Sequence, residues 1–132
     1  MGLSQSVSLE LSRTPAAPSI PASGPIDRAH LARFTFGNVA LELEVLNLFA
    51  QQAPESFASL AGASSPKAWR DAAHTLKGSA RAVGAWRVAN VTEMAERIEW
   101  TEVVRRREQL LAEIRVTLDE AITYVSDLAP QG

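Results

Sequence analysis

The stretch "SPKAWRDAAHTLKGSARAVG", residues 65–84, contains a complete helix with both of its end signals. Ser65 offers a side-chain oxygen to the unpaired N–H groups of a first helical turn. Pro66 follows at the first helical position, where its fixed φ suits a helix and its missing N–H costs nothing. Gly84 is the residue type that most often ends a helix. The pattern therefore predicts a helix from Pro66 to about Val83.

The predicted helix has two different faces at about 100° per residue. One arc is apolar, as is typical of a core face, and holds Trp69, Ala72, Ala73, Leu76, Ala80 and Val83. His74 points away from that arc. The residues that share its side of the helix are Arg70, Lys77, Gly78 and Arg81. We therefore expect an exposed histidine among three cations and one glycine.

The chain before this helix is also helical in pattern. Asp27 is expected to cap a short helix that runs to about Thr35, and Gly37 with Asn38 marks a break and a new start. Pro54 falls inside the next helical pattern, which predicts a kink or a local break there. That pattern is an apolar stripe at helical spacing, made of Val39, Leu43, Leu46, Ala50, Ala53, Phe57 and Leu60.

Two further apolar stripes follow Gly84. The first consists of Val88, Val91, Ala95 and Ile98, and the second of Val104, Leu111, Ile114, Leu118, Ala121, Val125 and Leu128. The charged side chains that accompany the second stripe are expected to be solvated, namely Arg105, Arg106, Arg107, Glu108 and Glu113. Four amphipathic helices joined by short loops predict an all-α, up-and-down four-helix bundle. We expect this domain over residues 26–129, with the short helix across one end, and a flexible tail over residues 1–25.

Composition excludes several classes of function. A formal net charge of -2 and a pI of about 5.7 give no reason to expect nucleic acid as a partner. The absence of cysteine excludes disulfides, thiolate nucleophiles and cysteine-ligated zinc. No apolar run approaches the roughly 20 residues that a membrane span needs, and a cytoplasmic protein is expected. His30 has no companion ligand at metal spacing, so a surface position and no metal site are expected.

The His74 face suits phosphoryl chemistry. A neutral imidazole is a good nucleophile near neutral pH because its unperturbed pKa is about 6.5. Attack on a phosphoryl group gives a phosphoramidate, whose oxygens lysine and arginine can stabilise. The face lacks paired carboxylates for magnesium and a glycine-rich loop for a nucleotide. It is therefore expected to carry a phosphoryl group without independent ATP-dependent kinase activity.

The stretch "AHTLKGSARAVGAWRVANV" closely resembles the signature of histidine-containing phosphotransfer (HPt) domains. The resemblance extends over about residues 27–128 and implies a four-helix bundle that relays a phosphoryl group between aspartates of receiver domains. It implies that His74 is the phosphoacceptor at Nε2, that Lys77 attends the phosphoryl oxygens, and that Gly78 admits the active-site loops of the receiver. The implied partners are response regulators and a hybrid histidine kinase, whose receiver domains supply the magnesium. No cofactor of its own is implied, and a monomer is expected.

Three residues depart from the family pattern. Thr92 stands where a small or sulfur-containing core residue is common, which is a tolerable change. Glu96 stands where glutamine is frequent, and either orients the imidazole or faces solvent. Arg81 is an additional cation and, like Arg70, a candidate determinant of which receiver binds.

Two other hypotheses stay open. The bundle is alternatively a binding module that regulates a kinase or a receiver by docking, without carrying phosphate. It is alternatively one domain of a larger kinase of the chemotaxis type. The first alternative requires that docking and signalling survive the loss of His74, and the second requires neighbouring kinase sequence in the full gene.

Overall fold

The computed structural model describes residues 24–128. Within them, helix α1 is short and four longer helices follow; the bounds are α1 Arg28–Thr35, α2 Val39–Ala61, α3 Pro66–Val83, α4 Trp86–Arg97 and α5 Trp100–Leu128. This part of the chain contains no β-strand. The helices α2 to α5 each pack against the next, and α5 closes the ring against α2. The all-α four-helix bundle is therefore confirmed. The predicted tail lies outside the described residues except for Gly24 and Pro25 and stays a prediction.

The helix ends follow the sequence signals. Asp27, Asn38 and Ser65 each accept a backbone N–H with their side chains at the starts of α1, α2 and α3. Gly84 ends α3 in the left-handed conformation, with φ 78°. Its N–H and that of Ala85 donate to carbonyls of the last turn of α3. These local predictions are confirmed because each depends on one residue and its own turn.

Helix α1 lies at the end of the bundle where α3 gives way to α4. The Asp27 N–H donates to the Gly84 carbonyl over 2.9 Å, and the Trp86 indole N–H donates to Asp27 Oδ2 over 2.9 Å. A Cβ atom on Gly84 would lie 2.8 Å from the Asp27 carbonyl oxygen. Glycine is therefore required at position 84 by conformation and by space.

The other side of α1 contacts α2, where the buried carboxylate of Glu42 accepts hydrogen bonds from Arg28 and Thr35.

Helix α2 continues through Pro54 as one helix of 23 residues, so of the two predicted outcomes the local break is wrong and the kink stays a prediction. The Pro54 side chain is exposed, while Leu46, Phe49 and Ala53 before it and Leu60 after it are buried. Core packing on both sides holds the segment helical despite the backbone hydrogen bond that proline removes.

The core includes most of the predicted apolar positions, and the exceptions are Val39, Val104 and the half-buried Leu43. Val39 has the right phase but is the first residue of α2, and its side chain is exposed. Val104 is also exposed, and Val103 is buried in its place. Arg106 has non-helical backbone angles, φ -114° and ψ 18°, between these positions and the rest of the stripe, so the phase of the stripe does not continue unchanged to Val104.

Arg107 was expected to be a solvated flank, and this expectation is wrong. Its guanidinium donates to the carbonyls of Ala61 and Ala63 at the end of α2. It also lies over the indole ring of Trp69, 5.5 Å from the ring centroid. Arg107 therefore satisfies backbone groups that the helix end leaves free, and it joins α5 to α2 and α3.

Candidate functional site

His74 lies in the middle of α3 on the side opposite the core. Its neighbours Ala73 and Leu76 are fully buried, whereas the His74 side chain is 72% exposed. The apolar arc that fixes how α3 packs therefore determines that this imidazole meets solvent. The predicted exposure of His74 is confirmed.

Glu96 of α4 contacts the His74 ring, with Oε2 3.2 Å from Nδ1. A carboxylate that is ionised only accepts hydrogen bonds, so Nδ1 is the donor in this contact, and in the neutral ring Nε2 then keeps its lone pair. The Lys77 ammonium is the main cause that lowers the pKa of Glu96, and the His74 contact adds to it against the opposing effect of burial. Glu96 therefore contacts the imidazole rather than facing solvent alone, and its role in orienting the ring stays a prediction.

Lys77, which the sequence placed on the His74 side of α3, is largely covered. Its side chain is 13% exposed, and Nζ lies 2.7 Å from Glu96 Oε1. At about 100° from the direction of Leu76, Lys77 lies on the flank of α3 that meets α4. Glu96 therefore joins the ammonium of Lys77 and the imidazole of His74 through its two oxygens.

The two predicted arginines lie on the His74 side of α3. Arg81 Nη2 is 2.8 Å from Glu93 Oε1 of α4, and the Arg81 side chain is half-exposed. Arg70 is exposed. The pKa of Asp71 is lowered chiefly by Lys67, and Arg70 also contributes to lowering it, less strongly. Along α3, the imidazole of His74 therefore has one arginine before it and one after it.

Gly78 is exposed, and a Cβ atom built on it would meet nothing within 4 Å. Glycine inside a helix costs about 1 kcal/mol relative to alanine. At Gly84 the fold accounts for glycine, but at Gly78 no contact within residues 24–128 does. The surface over Gly78 is thus open to another molecule, as the sequence predicted.

The prediction of the site did not commit to a role for Glu96 and did not include Glu93. Both lie on α4 and reach groups of α3 across the helix pair. A signal was present, because α3 and α4 are antiparallel about the tight turn at Gly84 and Ala85. Residues at similar distances before and after that turn face each other, which pairs His74 with Glu96. The contact of Arg81 with Glu93 does not follow this spacing, so the sequence held no such signal for Glu93.

Over residues 24–128, no group of three or more histidine and acidic side chains is placed to hold a metal ion. His30 is half-buried, with its ring 4.8 Å from that of Trp86 and 5.0 Å from that of Phe34. None of the five helices is long and apolar enough to cross a membrane.

Comparison with known proteins identifies the family. The family model described as the Hpt domain matches residues 44–127, more than half of the chain and all of the His74 site. No curated protein and no solved structure matches the chain. Hpt domains have a histidine phosphotransfer role in two-component signalling and are phosphocarriers rather than kinases. With its helical bundle and its exposed histidine, this chain belongs to the Hpt domain family.

Proposed function

We propose that this protein takes a phosphoryl group from the phosphoaspartate of one receiver domain onto His74 Nε2 and passes it to an aspartate of a second receiver. The donor is the receiver of a hybrid histidine kinase, and the acceptor is a response regulator. The observation that carries the proposal is the exposed imidazole whose Nδ1 is engaged by Glu96, because it leaves Nε2 as the nucleophile.

The transfer step balances without an added base. The lone pair of His74 Nε2 attacks the phosphorus atom, and the bond from phosphorus to the aspartate oxygen breaks. The aspartate leaves as a carboxylate with that electron pair, and the Nδ1 proton stays on the ring. The reverse step on the second receiver forms a new bond from an aspartate oxygen to phosphorus and returns the electron pair to Nε2.

Glu96 acts on this step through Nδ1. Phosphorylation at Nε2 gives the ring a positive charge, which a carboxylate 3.2 Å from Nδ1 stabilises. The same contact holds the ring in one orientation before the receiver arrives. Glu96 is therefore proposed as a positioning residue for the nucleophile.

Lys77 is proposed to bridge Glu96 and the phosphoryl oxygens. An ammonium has three N–H donors, so it can keep the Glu96 contact while it donates to a phosphoryl oxygen. The chemistry needs divalent cation binding at the phosphoaspartate, and a receiver active site supplies both the carboxylates and the magnesium. The Hpt chain then needs no cofactor of its own.

The decisive experiment incubates the full chain with phosphorylated receiver domains and follows the label. Wild-type protein is expected to take up one acid-labile phosphoryl group, and His74→Gln is expected to take up none. His30→Gln is the matched control, because it removes the other histidine and leaves the α3 face unchanged.

Stoichiometric labelling of His74→Gln would overturn the assignment. Receiver binding and signalling output that both survive His74→Ala would favour the docking module instead.

A further inference from the structure

Glu93 lies beneath two arginines beside the His74 site. Its Oε1 is 2.8 Å from Arg81 Nη2, and its Oε2 is 3.3 Å from Arg97 Nη2. The Glu93 side chain is 29% exposed, whereas Arg97 is 78% exposed. The two guanidinium groups, called the arginine pair below, therefore form the outer surface at this place.

The arginine pair carries more charge than its carboxylate cancels. One ionised Glu93 balances one of two guanidinium groups, and the neighbouring Glu96 is already matched by Lys77. Each guanidinium has five N–H donors, and each reaches Glu93 through Nη2. The cluster can therefore accept a further carboxylate, although the whole chain has a net charge of -2.

The arginine pair lies on the approach to His74. Arg81 follows His74 by two turns of α3, a rise of about 10 Å, with the open position Gly78 between them. Arg97 directly follows Glu96, whose side chain contacts the His74 ring. A body that rests over His74 and Gly78 with the dimensions of a protein domain therefore reaches both arginines.

We propose that Arg81 and Arg97 together bind a surface carboxylate of the receiver that docks over His74. This inference rests on the proposed function. Magnesium beside a phosphoryl group is held by one or two carboxylates, so the receiver surface that meets His74 carries acidic side chains. Paired guanidinium groups suit such a partner because arginine binds carboxylates in a bidentate geometry.

The test measures single-turnover transfer between the wild-type chain and the receiver domain that exchanges phosphoryl with it fastest among the receivers of the source genome. Arg97→Glu is expected to raise the half-saturating receiver concentration about tenfold and to leave the maximal rate unchanged, since docking rather than chemistry is altered. The salt dependence of the second-order rate is expected to weaken in the same variant.

Arg115→Glu is the matched control. Arg115 is 65% exposed and pairs with Asp119 at the same helical spacing, but it lies over Phe57 between α5 and α2. Its reversal is expected to change the half-saturating concentration by less than about twofold, because it lies outside the α3–α4 face. Glu93→Gln separates docking from structural pairing, since it removes both ion pairs and one of the two acceptor oxygens while keeping both arginines, and it is expected to preserve docking.

Equal effects of Arg97→Glu and Arg115→Glu would overturn the inference while transfer by the wild-type chain upholds the proposed function. A Glu93→Gln variant that weakens docking as much as Arg97→Glu would assign the arginines to structure instead. Absence of transfer from every receiver to the wild-type chain would overturn both proposals.

Discussion

The middle and the end of helix α3 use glycine for opposite reasons. At the end, Gly84 has a left-handed backbone and no room for a Cβ atom beside Asp27. In the middle, Gly78 has an ordinary helical position and open space around it. The end of α3 is thus committed to contacts within the chain, and the middle is available to a partner. A glycine reveals a binding surface only where the fold gives no reason for it.

The largest effect is expected from Gly84→Ala. The left-handed conformation costs an L-residue roughly 1–2 kcal/mol, and crowding against the Asp27 backbone adds to this. We expect the free energy of unfolding to fall by about 2–4 kcal/mol, measured by urea denaturation followed by circular dichroism. Loss of less than about 0.5 kcal/mol, the range of neutral surface changes, would contradict the structural role of Gly84.

The next effect concerns the other partner in that contact. Asp27→Ala removes the cap of α1 and the acceptor of the Trp86 indole, and is expected to cost about 1–2 kcal/mol at neutral pH. The Trp86 hydrogen bond chiefly lowers the pKa of Asp27 from its ordinary 3.8. The stabilisation is therefore present above that value and is lost as the pH falls through the lowered pKa. Urea titrations between neutral and acid pH are expected to bring the wild type and Asp27→Ala together.

The end of α3 was predictable from sequence because its signals are local. Ser65, Pro66 and Gly84 act within one turn, and the apolar arc of α3 follows from 3.6 residues per turn. The helical backbone at Pro54 and the partly buried side chain of Arg107 depended instead on contacts between distant segments, which no single apolar stripe describes. Local propensity predicted a break at the first and a solvated charge at the second, and packing overrode both.

The middle of α3 was predictable only in part. The phase of the helix was enough to place His74 outside and to mark Gly78 as unexplained. The low exposure of Lys77 and the contact of Glu96 with His74 depend on α4, so their prediction required knowing how α3 and α4 pair. A single helix shows which side chains leave the core, but the neighbouring helix determines which of them stay exposed.

Gly78→Ala is expected to separate stability from function. The added methyl group meets open space, so the free energy of unfolding is expected to rise by about 0.5–1 kcal/mol from helix propensity alone. Phosphotransfer is expected to slow, because the methyl group occupies the surface that a receiver approaches. Denaturation and transfer rates measured on the same preparation test both parts. A variant that is more stable and transfers at the wild-type rate would show that the open space at Gly78 has no role in docking.

The smallest effect on stability is expected at Glu96, where charge and hydrogen bonding are separable. Glu96→Gln keeps an acceptor oxygen for His74 Nδ1–H but removes the ion pair with Lys77, and is expected to cost less than about 1 kcal/mol at pH 7. Because Lys77 chiefly lowers the pKa of Glu96 from 4.5, that stabilisation is present above 4.5 and disappears as the pH falls through the lowered value.

Nitrogen-15 NMR of His74 completes the comparison at Glu96. Wild type and Glu96→Gln are expected to keep the proton of the neutral imidazole on Nδ1, because both offer an acceptor oxygen. Glu96→Ala offers none, and its ring is expected to shift toward the Nε2–H tautomer, in which Nε2 has no free lone pair for the attack. A tautomer ratio that is unchanged in Glu96→Ala would mean that the contact with Nδ1 does not prepare the nucleophile. The His74 imidazole would then be available to a receiver only because its side chain is exposed.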